Sequence, residues 1–473
     1  MLSVLKNAMN QVKNSDEVLV GRQIENDPVI EGLITDLVDE VHVHNDGIIG
    51  IRPAQPELAD AFKSRMESVA KLRGRPLYHP YIGTGAGNGP FVELEDGSVK
   101  IDLINGIGIH LMGHSHPRVI KAAIRGAISD IVMQGNLQPN KEYLKLSEKL
   151  VQIASRKSRL RHVWFSTCGT MANENALKMA RQKNSPARFV FAMQNAFAGR
   201  STMMAEVTDN TAYRQGLPEY NEILRIPSYD KRDPQSIEKA VRAMKDQYAK
   251  HEEDVSCFVF EPMLGEGGFQ PTPREFFIPL LDFCKQNKIA VWADEVQTFA
   301  RTGEYFAYET LDLGEYIDIV TIAKTVQLGA TLYTEEYNPK PGLIAGTFSG
   351  SGSSMLAGLE ILNMLDEGYL GPKGRIQQIH HQFISGLNRL NETTCKGLVS
   401  DAGGMGLMIA FTPFQGKKEQ VETLIKKLFQ NGMIAFSCGK DPVRIRFLIP
   451  AIIQDQDIEL ALQIVEKSIQ QGI

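Results

Sequence analysis

Ile289-Ala290-Val291-Trp292-Ala293 runs without a break into Asp294-Glu295, and two other stretches repeat the pattern. Cys257-Phe258-Val259-Phe260 ends on Glu261, and Ile319-Val320-Thr321-Ile322-Ala323 ends on Lys324. Short continuous apolar runs bounded by polar residues predict strands buried on both faces of a parallel sheet. In open α/β sheets the ligand crevice lies beyond the carboxyl ends of the strands. The three runs therefore predict a crevice furnished with carboxylates and a lysine.

Around these runs, helical and apolar stretches alternate from about 105 to 325. Helices are expected at 117–127, 141–154, 170–182 and 273–287, and further strands at 162–166 and 188–193. This alternation predicts an α/β large domain, residues 81–350, whose mainly parallel sheet is covered by helices. Within it, Phe91-Val92-Glu93-Leu94 and Val99-Lys100-Ile101-Asp102-Leu103 flank Asp96-Gly97, the signature of a hairpin. Longer helices follow at 353–366, 373–391, 418–431 and 456–470, with strands at 406–411 and 444–448. They predict a small α+β domain over 351–473, to which the N-terminal segment 1–80 contributes. In that segment Leu58, Phe62, Met66 and Val69 fall at helical spacing before Gly74-Arg75-Pro76.

A chain of 473 residues exceeds what one core usually spans, which favours a large and a small domain. Its net charge of -5 provides no basic surplus to meet phosphates, so nucleic acid is not an expected partner. The five cysteines (Cys168, Cys257, Cys284, Cys395 and Cys438) form no CxxC pair, as expected of a reducing cytosol. Met1 to Glu17 lacks the apolar core of a signal peptide, and Phe276-Phe277-Ile278-Pro279-Leu280-Leu281 is stopped by Asp282. A cytoplasmic protein without a membrane span is expected.

Several constellations carry chemistry, each beside a plainer reading. Cys168-Gly169-Thr170 opens a helix after a strand, where free N–H groups and the helix dipole suit a phosphate. A threonine N-cap explains the same residues. Phe197, in Asn195-Ala196-Phe197-Ala198-Gly199, could stack on a planar ring or simply fill the core. Asp294 could hold a pyridine nitrogen protonated, with Val296 on the ring face and Gln297 at a ring oxygen. An acidic pair at a helix start is the alternative. Lys324 after an apolar strand would be desolvated and nucleophilic, or would snorkel to solvent. A carboxylate and a lysine at one sheet edge are what a carbonyl cofactor requires.

In their order and spacing the motifs resemble the class III (ω-type) aminotransferases of the fold type I pyridoxal-phosphate enzymes. That group includes ornithine, acetylornithine and 4-aminobutyrate aminotransferases. The matching text begins at Gly106-Ile107-Gly108 and Gly113-His114-Ser115-His116-Pro117. It continues through Cys168-Gly169-Thr170-Met171-Ala172-Asn173-Glu174, Glu261-Pro262-Met263-Leu264-Gly265-Glu266-Gly267-Gly268 and Ala293-Asp294-Glu295-Val296-Gln297-Thr298. Asp318 to Lys324, Gly346-Thr347-Phe348 and Arg446-Phe447 complete it. The resemblance implies that Lys324 binds pyridoxal 5'-phosphate as a Schiff base and then moves the proton. It implies that Asp294 pairs with the ring nitrogen, Gln297 contacts the ring hydroxyl, and Phe197 and Val296 sandwich the ring. Gly169 and Thr170 would bind the phosphate, with Thr347 arriving from the partner in a homodimer. Arg446 would grip a substrate α-carboxylate, and Glu266 would cover that arginine for ω-amine substrates.

The implied activity is transfer of an amino group from an ω-amine or amino acid to an α-keto acid such as 2-oxoglutarate, in ping-pong fashion. An aminomutase, an epimerase or a decarboxylating transaminase keeps the same cofactor, and a non-catalytic homologue would keep only the fold. The chain departs from the family pattern at Cys168, Met171, Ala198 and Ser351-Gly352, and Thr298-Phe299-Ala300-Arg301-Thr302-Gly303 is one residue short. His114 and His116, like His42 and His44, have no acidic or cysteine partner at ligand spacing, so no metal is expected. Tyr78, Tyr81 and Asn136 are candidate entrance residues.

Overall fold

The computed structural model describes residues 19–129 and 137–472. Its strands are β1 (Gly83–Asn88), β2 (Phe91–Leu94), β3 (Val99–Asp102), β4 (His162–Ser166), β5 (Phe189–Met193), β6 (Ile223–Ile226), β7 (Val255–Phe260), β8 (Ala290–Asp294), β9 (Ile319–Ile322) and β10 (Gly329–Tyr333). Towards the C-terminus follow β11 (Val399–Met405), β12 (Met408–Pro413), β13 (Met433–Ile434), β14 (Phe436–Cys438) and β15 (Arg444–Leu448).

The central sheet has seven strands in the order β4-β10-β9-β8-β7-β5-β6. From β9 to β6 every pairing is parallel, while β10 runs antiparallel to both of its neighbours. Both faces of the parallel strands are buried, as the unbroken apolar runs predicted. Phe258, Phe260, Val291 and Val320 belong to one core, and Cys257, Val259, Ala290, Trp292 and Ile319 belong to another. Trp292 is fully buried and its indole N–H donates to Thr321 Oγ1 at 3.0 Å, so the largest side chain of β8 buries no unpaired donor.

Two four-stranded sheets flank this core. One joins β1, β2 and β3 to β13, so residues 83–102 pair with a strand from near the C-terminus. The expected hairpin is present, with Phe91 opposite Ile101 and Gly97 left-handed at φ 77°. The other sheet, β11-β12-β15-β14, is antiparallel throughout. Strand β12 starts two residues later than the expected 406–411, because Gly406 and Leu407 make the turn from β11. β11 itself carries Asp401, Ala402, Gly403 and Gly404, which have no strand periodicity to read.

The helix Gly352–Leu365 packs on the helix Pro117–Ala127 and on the short turn Lys324–Val326. Two glycines allow these approaches. A Cβ on Gly126 would stand 2.3 Å from the carbonyl carbon of Gly352, and one on Gly358 would stand 2.3 Å from the carbonyl oxygen of Val326. Gly352 thus has a packing reason, while Ser351 before it caps the helix through the Ser354 N–H. Because the Gly358 contact supports the lysine turn, Gly358→Ala should cost about 1–3 kcal/mol by overpacking. A lower thermal midpoint would check this. Gly403→Ala, with no atom within 4 Å, is the control and should shift stability by less than about 0.5 kcal/mol.

Candidate active site

The polar ends of the apolar strands converge on one cavity of about 740 Å³. Phe197 follows β5, Glu261 follows β7, Asp294 closes β8 and Lys324 follows β9, and all four line it. Gly169, Thr170, Val296, Gln297, Glu266 and Arg446 complete much of the wall. Thr347 does not line it; it is exposed on the loop before Ser351. Tyr78 and Tyr81 do not line it either, contrary to the sequence expectation. Tyr78 is exposed and Tyr81 stacks on Phe429, while Asn136 lies outside the described residues.

Lys324 sits in a left-handed turn, φ 56°, and its amine has no hydrogen-bond or ion-pair partner among the described residues. That conformation is unfavourable for a lysine and persists only where packing enforces it. Burial, helped by the Arg301 cation, lowers the Lys324 pKa to about 8, against the opposing pull of Asp294.

Asp294 is held at both oxygens. Oδ1 accepts from Val296 N–H at 3.0 Å and Oδ2 accepts from Asn173 Nδ2 at 2.7 Å. Asn173 also donates to the Ala198 carbonyl at 2.7 Å, tying the helix Gly169–Lys183 to the Phe197 segment. Glu261 accepts from the N–H groups of Phe197 and Gly265, each at 2.9 Å. Burial raises the pKa of both carboxyls, and the Asp294 charge raises that of Glu261 further. Glu295 plays no part in the cavity. It is buried and accepts from Ala307 N–H, Tyr308 N–H and Thr298 Oγ1, with its pKa pushed up to about 7 by burial.

The Gly169 end of the cavity is a cradle. Cys168 makes no side-chain cap, which leaves the first N–H groups of the helix Gly169–Lys183 open. A Cβ on Gly169 would lie 2.7 Å from Val296 Cγ1, and one on Gly199 (φ 130°) would lie 2.5 Å from Thr170 Oγ1. Gln297 Oε1 and Asn173 Oδ1 are buried without a partner. Open N–H groups, a held carboxylate, a lysine and flanking Phe197 and Val296 fit a planar, phosphate-bearing carbonyl compound.

At the other end Arg446 Nη1 donates to Glu266 Oε1 at 2.7 Å, above the Phe269 ring. Arg446 Nε is buried without a partner. Sequence reasoning passed over Arg200, which follows Gly199 directly. Its guanidinium lies 3.8 Å from the Tyr213 ring centre, lines the cavity, and has no carboxylate partner among the described residues. It also passed over Arg301 as a bracket. That buried side chain donates to the Gln297 carbonyl at 3.0 Å and to the Gly108 carbonyl, joining two cavity walls. Within Thr298–Gly303, Ala300 turns left-handed, φ 63°. His114 pairs with Asp102 at 3.0 Å, and His116 Nδ1 accepts from the Arg118 N–H to cap the helix Pro117–Ala127.

Fold and cavity define a fold type I pyridoxal-phosphate enzyme, and comparison with known proteins narrows the class. The class III aminotransferase family profile matches residues 77–469, and the chain belongs to that family. It is 30% identical over 400 residues to a probable 4-aminobutyrate aminotransferase of Bacillus subtilis, covering 78% of this chain and 89% of the relative. It is 29% identical to a 5-aminovalerate aminotransferase of Pseudomonas aeruginosa, covering 85% and 96%. The solved lysine aminotransferase of M. tuberculosis shares the fold with a TM-score of 0.76 at 23% identity, covering 86% of this chain and 99% of that one. The protein is a pyridoxal-phosphate-dependent aminotransferase, and these relatives do not favour a mutase, an epimerase or an inert scaffold. Among the described residues no helix is long and apolar enough to cross a membrane.

A lysine with a pKa lowered to about 8 gains neutral amine, hence reactivity, as pH rises through 8. The rate at which cofactor-free protein captures pyridoxal phosphate, read by visible absorbance, should climb to pH 8 and flatten above about 9. A rate still climbing steeply at pH 10 would indicate an ordinary solvated lysine.

Proposed function

We propose that this aminotransferase takes its amino group from an ω-amino acid, a carboxylate-bearing chain with a terminal amine, and delivers it to 2-oxoglutarate. The observation that carries this reading is the unequal state of the two cavity arginines. Arg446 is covered by Glu266, whereas Arg200 is open. A donor with no α-carboxylate leaves the Glu266–Arg446 pair undisturbed and sets its distant carboxylate on Arg200. In the return half, the α-carboxylate of 2-oxoglutarate displaces Glu266 and takes Arg446 through its fork, with Nε available as a second donor. Names of relatives agree with this class, since 4-aminobutyrate and 5-aminovalerate are both ω-amino acids.

Bound pyridoxal phosphate supplies an electron sink and stores the amino group between the two halves. The residues around it do the rest. Gly169 and Thr170 receive the phosphate at the helix N-terminus, with Thr347 of a second copy as a further donor. Phe197 and Val296 hold the ring faces. Asp294, fixed by Val296 and Asn173, would hold a proton on the ring nitrogen, and Gln297 would meet the ring hydroxyl. Burial and the Asp294 charge raise the pKa of Glu261, which weakens the second negative charge on that side. Lys324 Nζ would hold the cofactor and would serve as the base that takes and returns the proton at the substrate carbon.

A homodimer follows from the same reading. Thr347 and Phe348 stand exposed on their loop, and Ile107 and Ile109 are about 40% exposed at the cavity's edge.

A visible spectrum of the protein loaded with pyridoxal phosphate tests the reading. The band should bleach with 4-aminobutyrate or 5-aminovalerate and return with 2-oxoglutarate. A band that no ω-amino acid alters would rule out this donor class. Lys324→Ala should lose both the covalent cofactor and turnover. Arg446→Lys should raise the Michaelis constant for 2-oxoglutarate roughly tenfold while sparing the donor, because the bidentate fork is lost. Arg200→Met should do the reverse, raising the donor's Michaelis constant about tenfold and leaving 2-oxoglutarate less affected.

A further inference from the structure

We propose that Arg444 is a positioning residue that pins the backbone beneath Glu266, so that the Glu266–Arg446 gate opens by side-chain rotation over a fixed loop. The inference rests on the reading that Arg446 receives an α-carboxylate, and it adds how the cover is held. Arg444 lies two residues before Arg446 on β15, on the same face of the strand, yet it does not line the cavity.

The Arg444 guanidinium is almost wholly buried and donates four hydrogen bonds. It donates to the Ala410 carbonyl at 3.0 Å, to Thr412 Oγ1 at 3.3 Å, and to the carbonyls of Asp401 and Gly268. Burying a cation among strands is unfavourable unless its donors are all matched, and an apolar side chain would pack β15 at lower cost. The acceptors explain its presence, since they come from β11, β12 and the loop that carries Glu266.

The same loop is fastened at further points. Gly439 N–H donates to the Glu266 carbonyl at 2.9 Å, and Phe269 N–H to the Leu264 carbonyl at 3.0 Å. Gln270 Nε2 donates to Asp401 Oδ2 at 3.2 Å. Gly268 adopts φ 122°, a region closed to other residues, which turns its carbonyl towards Arg444. Glu266, by contrast, keeps 38% of its side-chain surface exposed while Arg446 keeps 5%. Backbone fixed and side chain free is the arrangement of a rotating cover.

The test uses the cofactor-loaded enzyme with Glu266→Gln, Arg444→Lys and the double variant. Glutarate serves as an unreactive dicarboxylate whose Kd is read from the cofactor's visible band, beside the Michaelis constant for 2-oxoglutarate. Glu266→Gln should tighten glutarate about tenfold, the worth of one charge-assisted hydrogen bond. Arg444→Lys, which forfeits the fork but keeps the charge, should tighten it about threefold or more with donor kcat preserved. The double variant should match Glu266→Gln alone, because Arg444 acts through Glu266. Gly268→Ala, which loosens the same contact from the loop side, should move glutarate in the same direction. Unchanged affinity in Arg444→Lys and Gly268→Ala, or full additivity in the double variant, overturns the inference while the gate stands. Should Glu266→Gln itself shift nothing, the gate reading falls and this inference with it.

Discussion

The site depends on a lysine kept unsatisfied. Lys324 is delivered by a buried strand into a left-handed turn, with no hydrogen bond to its amine among the described residues and a cation nearby. Each condition is unfavourable alone. Burial, with the Arg301 cation, lowers the proton affinity of the amine to a pKa of about 8. The surrounding fold supplies the restraint: Val326 in the same turn is packed beneath the helix Gly352–Leu365, where Gly358 permits contact. Strain at Lys324 is thus balanced by packing several residues away.

Charge balance forms the second layer. Three cations (Lys324, Arg200 and Arg446) and three carboxyls (Asp294, Glu261 and Glu266) share one cavity. They are not equivalent, because each has a different set of partners. Asp294 and Glu261 each accept two hydrogen bonds that favour the ionised form, but Glu261 also lies in the field of Asp294, which raises its pKa further. Glu266 sits near solvent and neutralises Arg446 without being buried itself. This grading distinguishes the buried carboxyls at the sheet edge from the half-exposed Glu266 and its partner Arg446 at the other end.

Much of the fold was legible because periodicity is a local property. The runs ending at Glu261, Asp294 and Lys324 are strands buried on both faces, and their polar ends do share a cavity. The elements that were not legible lack a local signal. β1 reads Gly83-Thr84-Gly85-Ala86-Gly87-Asn88, and β11 is half glycine and small polar residues. Both are strands because neighbouring strands complete their hydrogen bonds, as β2 does for β1 and β12 for β11. The antiparallel entry of β10 was equally invisible, since Gly329-Ala330-Thr331-Leu332-Tyr333 carries no mark of direction.

Residue type and order alone determined which groups stand at the strand ends, and hence the lysine, the aspartate and the Gly169-Thr170 turn that opens a helix. A strand's carboxyl end and a helix's amino end are features of consecutive residues, so they survive in the sequence. Tertiary structure alone decided that Asn173 bridges Asp294 to Ala198, that Glu295 serves a helix rather than the cavity, and that Arg301 brackets two walls. It likewise decided that Arg200 stands open while Arg444, two residues from Arg446, is consumed by backbone carbonyls. An arginine's type reveals a charge and five donors. Which acceptors reach them depends on segments far apart in the chain, and only folding brings those together.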